Sequence, residues 1–156
     1  MGSLKYGLIS GLISGLIIGL LYAVVTSAMV LSFKGELVGN FTQYYLNESL
    51  SYEEAFKSAE ALFQTLLIAY IVRVTIFFTI TGLIIGFAIS QLRIGRTFIS
   101  RGVSVGLIMG MWVALFRIIG GVEASLALTD TLLFIAIGLS ASGIYYKFSY
   151  SKKFEP

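Results

Sequence analysis

Four long stretches of this chain are nearly free of charge and apolar on every side, which leaves few folds open. They run from about Tyr6 to Phe33, Ala61 to Leu92, Gly102 to Gly121 and Thr131 to Phe148. A bilayer core about 30 Å thick is crossed by roughly 20 apolar residues in an α-helix. The sequence therefore predicts an all-α, polytopic membrane protein, a single domain over residues 1–156 with four transmembrane helices. Barrel strands would alternate lipid-facing with lumen-facing residues, and these runs do not alternate. The first run follows Lys5 and passes Thr26-Ser27-Ala28, much as a secretory signal approaches its cleavage site. It is longer than a signal core, so it reads as a span.

Composition narrows the chemistry. Of 156 residues, 57% are apolar and 12% charged, against about 25% charged in a soluble domain. That excludes a soluble enzyme, a nucleic-acid-binding module and a disordered chain. The sequence has no cysteine and no histidine. Disulfides, zinc sites, Fe–S clusters, His-ligated haem and Ser–His or Cys–His catalysis lack their atoms. The chain is expected to be no enzyme and to carry no metal, cofactor or catalytic residue.

Orientation follows from where lysine and arginine fall. Lys5, Arg93, Arg96, Arg101, Lys147, Lys152 and Lys153 lie on one side of the four spans, and only Lys34 and Lys57 on the other. This predicts cytoplasmic N- and C-termini and an outer loop over 34–60, in a cell (plasma) membrane. The only two asparagines, Asn40 and Asn47, each begin an N-x-S/T sequon in that loop. They predict N-glycosylation there, and so a glycoprotein. Residues 34–50 read as irregular. From Ser51 the pattern changes: Ser51 and Glu54 have capping-box spacing. Ala55, Phe56, Ala59, Leu62, Phe63 and Leu66 then recur at helical spacing. An amphipathic helix is expected from about Tyr52, unbroken into span two, with an apolar stripe that needs a partner.

Small residues recur every four positions in the spans. They are Gly7, Gly11, Gly15 and Gly19 in span one; Gly82 and Gly86 in span two; Gly102, Gly106 and Gly110 in span three; Gly138 in span four. In a membrane, helices associate through close packing, and small-xxx-small rows let backbones approach. The spans are expected to pack on these glycine seams, a glycine zipper in a four-helix bundle. Most of each row falls toward the cytoplasmic side, with bulky residues outward, which predicts a bundle pinched within and open without. Residues 11–23 also align with 102–114, with six identities in thirteen. A parallel repeat of two hairpins would produce this, although Gly/Leu/Ile-rich sequence matches readily.

Two arginines, Arg73 and Arg117, interrupt the spans, and charge there is costly. Both fall near the outer ends, where the stem buries and the head reaches water. Alternatively they face inward and pair with Glu60, Glu123 or Asp130, or hold an anionic group through the planar guanidinium fork. Tyr145, Tyr146 and Tyr150, beside Lys147, Lys152 and Lys153, read as an interfacial belt.

Three function classes remain. The first is a structural or accessory subunit of a larger membrane complex. The second is a small oligomeric channel or transporter with an arginine-lined outer vestibule. The third is a lipid- or quinone-binding protein. The partners implied are membrane lipids and either other subunits or further copies of this chain, with no nucleic acid.

Overall fold

In a computed structural model of the chain the described residues are 2–48, 50–92, 97–121 and 124–151, with side chains placed over 4–48, 50–92, 97–121 and 128–149. Five helices make up the fold: α1 (Gly2–Ser32), α2 (Lys34–Asn47), α3 (Tyr52–Gln91), α4 (Phe98–Ile119) and α5 (Ala124–Ser151). Four segments, Leu4–Ser32, Tyr52–Gln91, Phe98–Ile119 and Leu128–Ser149, are long and apolar enough to cross a membrane. Helices suit that setting because each satisfies its own backbone hydrogen bonds.

Residues 34–47, expected to be irregular, form α2. Val38, Phe41, Thr42 and Tyr45 stand one turn apart and make a face, while Gly35 and Gly39 look into open space. Each glycine costs a helix about 1 kcal/mol relative to alanine, and packing of the apolar face offsets this. Val38 packs with Ala59 and Phe63 of α3 in a small core edged by Val30, Leu37, Phe41, Tyr45 and Leu67. Ala59 and Phe63 of the apolar stripe at the start of α3 thus pack within the same chain, while Phe56 and Leu66 stay exposed. Ser51 caps that helix: its backbone N–H donates to Glu54 Oε2 at 3.2 Å, and the Glu54 N–H donates to Ser51 Oγ at 3.4 Å.

The chain divides into two compact units, Met1–Gly19 with Ile76–Pro156, and Leu20–Thr75. The second has its own core around α2, which is why it separates. The first holds two antiparallel helix pairs. In one, the start of α1 lies on the end of α3; in the other, α4 lies on α5.

Both pairs approach backbone to backbone. In the first, a Cβ added to Gly7 would stand 2.5 Å from the Gly86 carbonyl oxygen, and one on Gly82 would stand 2.7 Å from Gly15 Cα. Gly11 faces the Gly82 carbonyl and Gly15 the Phe78 carbonyl. In the second, a Cβ on Gly102 would lie 2.6 Å from the Gly138 carbonyl oxygen, and one on Gly106 would lie 2.6 Å from that of Phe134. Gly110 is closed off by Thr131, whose Cα would be 2.8 Å away.

The two pairs share one register. Adding 91 carries Gly11 to Gly102 and Gly15 to Gly106; adding 56 carries Phe78 to Phe134, Gly82 to Gly138 and Gly86 to Ser142. Three contacts of the first pair then fall on contacts of the second. Gly11 on Gly82 becomes Gly102 on Gly138, and Gly15 on Phe78 becomes Gly106 on Phe134. Gly86, set against the Gly7 carbonyl, becomes Ser142, whose Oγ donates to the Phe98 carbonyl at 2.6 Å. Along the partner helices only Thr75, Phe78, Gly82 and Leu83 are kept at Thr131, Phe134, Gly138 and Leu139, four identities in the sixteen positions of 75–90.

At the boundary of the second unit, Leu20–Thr75, stand Gly19 and Thr75. Their counterparts are Gly110 and Thr131, joined by only 20 residues, 111–130. There α4 ends at Ile119, and Gly120 and Gly121 make the turn. Gly121 has φ 85°, a left-handed conformation that glycine adopts without a Cβ clash.

Candidate functional site

The stretch that closes the α4–α5 pair carries ionic chemistry. Arg117, in the last turn of α4, donates through Nη1 to Asp130 Oδ2 on α5. The Arg117 side chain is 42% exposed and that of Asp130 14%, so the carboxylate is the more enclosed partner. A cation in the last turn also complements the negative end of the helix dipole. Beside the pair runs an apolar groove of about 690 Å³, lined by Leu107, Met111, Trp112, Leu115 and Ile118 of α4 and by Leu128 of α5. Trp112, the chain's only tryptophan, stacks on Phe116 with ring centroids 5.5 Å apart.

The remaining expected ligands are dispersed. Glu60, expected beside an arginine, pairs with Lys34 of α2 at 2.5 Å and ties α2 to α3. Arg73 is exposed and has no ion pair among the described residues of its unit. Glu123 lies outside the described residues. Arg117 is paired with Asp130 within the first unit, and Arg73 belongs to the second. Among the described residues no group of His, Cys, Asp or Glu stands together as metal ligands would.

The sequon asparagines both lie on α2 and are exposed. They differ in their third residues. Thr42 is buried and its hydroxyl donates to the Val38 carbonyl at 2.8 Å, whereas Ser49 lies outside the described residues. Of the glycine rows, Gly7, Gly11, Gly15, Gly82, Gly86, Gly102, Gly106, Gly110 and Gly138 all sit in the two pairs' contacts. Gly19 is buried.

A third feature went unread in the sequence. Where α4 begins and α5 ends, a pocket of about 230 Å³ is lined by Thr97, Phe98, Arg101, Ser142, Tyr145, Tyr146 and Ser149. In the sequence Arg101 marks only orientation, and Tyr145 and Tyr146 read only as part of an interfacial belt. The available signal was a cation in a first helical turn that contains no acidic residue. Compared with family models, curated proteins and solved structures, the chain matches none.

Proposed function

We propose that this chain is a non-catalytic integral membrane protein, a structural or accessory subunit of a larger membrane complex. The observation that carries the reading is the backbone-to-backbone packing of both helix pairs. Small residues are spent within each pair, while Leu12, Leu16, Ile84, Phe87, Ile108 and Met111 remain exposed. Faces of large apolar residues suit lipid or neighbouring helices, and rigid pairs hold those faces in fixed positions. The glycine rows act as a zipper in this reading. The hydroxyls of Ser10 and Ser90 turn back to the carbonyls of Gly7 and Phe87, at 2.9 and 2.8 Å.

The distribution of lysine and arginine supports cytoplasmic termini in a cell membrane, with α2 outside. On that side Asn47 is the better glycan acceptor, because Thr42 in the other sequon is buried. A second reading, a small oligomeric transporter, is favoured by the repeated register, since parallel repeats build several transporter folds around a site between them.

Native mass spectrometry of the protein gently extracted from its own membrane, with glycans intact, separates the two. A stable heteromeric mass is expected. A homo-oligomer or monomer would overturn the accessory reading and favour the transporter.

A further inference from the structure

We propose that the pocket at the start of α4 binds a phosphate group, and that its source is the headgroup of an anionic phospholipid. This stands apart from the accessory-subunit reading, because it needs no partner protein.

Arg101 sits in the first turn of α4, where unpaired backbone N–H groups give the helix its positive end. A cation there is opposed by the helix dipole unless an anion lies between them. No acidic residue occupies that turn, and among the described residues Arg101 has no ion pair. The local helix start is otherwise self-contained. Thr97 Oγ1 accepts from the Ser100 N–H at 3.1 Å, and Ser100 Oγ accepts from the Thr97 N–H at 3.1 Å. Ser142 is likewise committed to the Phe98 carbonyl. The lining therefore divides into hydroxyls already engaged, Thr97 in the α4 cap and Ser142 between the two helices, and groups left to the cavity. The latter are the Arg101 guanidinium and the hydroxyls of Tyr145 and Ser149. Guanidinium pairs with phosphate through two parallel hydrogen bonds, and the hydroxyls can donate to its other oxygens.

The repeat provides an internal control. The positions equivalent to Thr97, Arg101, Ser142, Tyr145 and Tyr146 are Tyr6, Ser10, Gly86, Ile89 and Ser90. The first pair has no cation at the Arg101 position and no phenol at the Tyr145 and Tyr146 positions, its one tyrosine there being Tyr6 at the Thr97 position, and its Ser10 hydroxyl is buried and bonded to its own helix. The second pair departs from the shared pattern with one arginine and two tyrosines, all lining one cavity. Lys147 follows Tyr146 directly and is exposed, and basic pockets between membrane helices commonly receive phosphorylated headgroups.

The test is native mass spectrometry of the full chain in detergent, titrated separately with phosphatidylglycerol, a phosphate-free glycosyl diacylglycerol and inorganic phosphate. One phosphatidylglycerol per chain should be retained, roughly tenfold tighter than the glycolipid, as charge-assisted hydrogen bonds allow. Arg101→Gln should bring the two lipids to parity, Arg101→Lys should fall between, and Tyr145→Phe should weaken binding about threefold. Phosphatidylglycerol should raise the melting temperature of the wild type and not that of Arg101→Gln. Tight binding of inorganic phosphate alone, lost in Arg101→Gln, would keep the phosphate pocket and overturn the lipid as its source. Equal retention of both lipids by the wild type without phosphate binding, or an unchanged preference in Arg101→Gln, would overturn the proposal.

Discussion

The two helix pairs of the first unit are one design carried out twice with different attachments. In the α1–α3 pair the contact is made by five glycines, Gly7, Gly11, Gly15, Gly82 and Gly86. In the α4–α5 pair four glycines remain, Phe98 and Ser142 stand where the first pair has Gly7 and Gly86, and the Ser142 hydroxyl adds a hydrogen bond between helices. Beyond the shared register the first pair opens into a separate unit with its own core, and the second closes through a short turn under the Arg117–Asp130 pair. What the pairs share is packing. The α4–α5 pair adds an ion pair across its helices and an apolar groove beside it, and the pocket proposed for a lipid headgroup lies at its other end.

If the pairs are equivalent, bulky residues in either seam should be equally damaging. Gly11→Leu and Gly102→Leu each drive a side chain into a carbonyl of the facing helix, and neither backbone can yield. Both should abolish the folded protein, as judged by monodispersity and helical circular dichroism after extraction. Gly143→Leu, with nothing within 4 Å of its added Cβ, should fold normally. A tolerated Gly11→Leu would show that the first pair is not packed as the second is.

A smaller effect sharpens the contrast at the closed end. Asp130→Asn leaves Arg117 without its described partner and should cost about 1 kcal/mol, a modest figure because the arginine is well exposed. Reversible unfolding in mixed micelles, followed by Trp112 fluorescence, would measure it. No loss would mean that Arg117 reaches water or lipid headgroups and does not depend on the pair.

The sequence made some of this legible and hid the rest for physical reasons. Four helical spans follow from uninterrupted apolar runs, because burying a backbone in lipid admits little else. The Ser51–Glu54 cap could be read because S-x-x-E is a local pattern. The α2 helix could not: its face of Val38, Phe41, Thr42 and Tyr45 is short, two glycines interrupt it, and its stability comes from Ala59 and Phe63 farther along the chain. Half of the repeat was visible in residues 11–23 and 102–114. The other half became recognisable only when the contacts aligned Phe78 with Phe134 and Gly86 with Ser142. Arg117 and Asp130 stood among several possible pairs, and spacing alone did not choose between them. Arg101 was seen only as a positive charge, because its pocket is completed by Tyr145 and Tyr146, more than forty residues away.

The central claim is that the two pairs share one backbone-packed register. The most direct test is to measure the unfolding free energies of Gly82→Ala and Gly138→Ala side by side in one bilayer system. Each added methyl meets the carbonyl of the equivalent facing glycine, Gly11 or Gly102. The account predicts losses of about 1–3 kcal/mol in both, matched to within about 1 kcal/mol. A loss in one variant with the other unchanged or stabilised would contradict it.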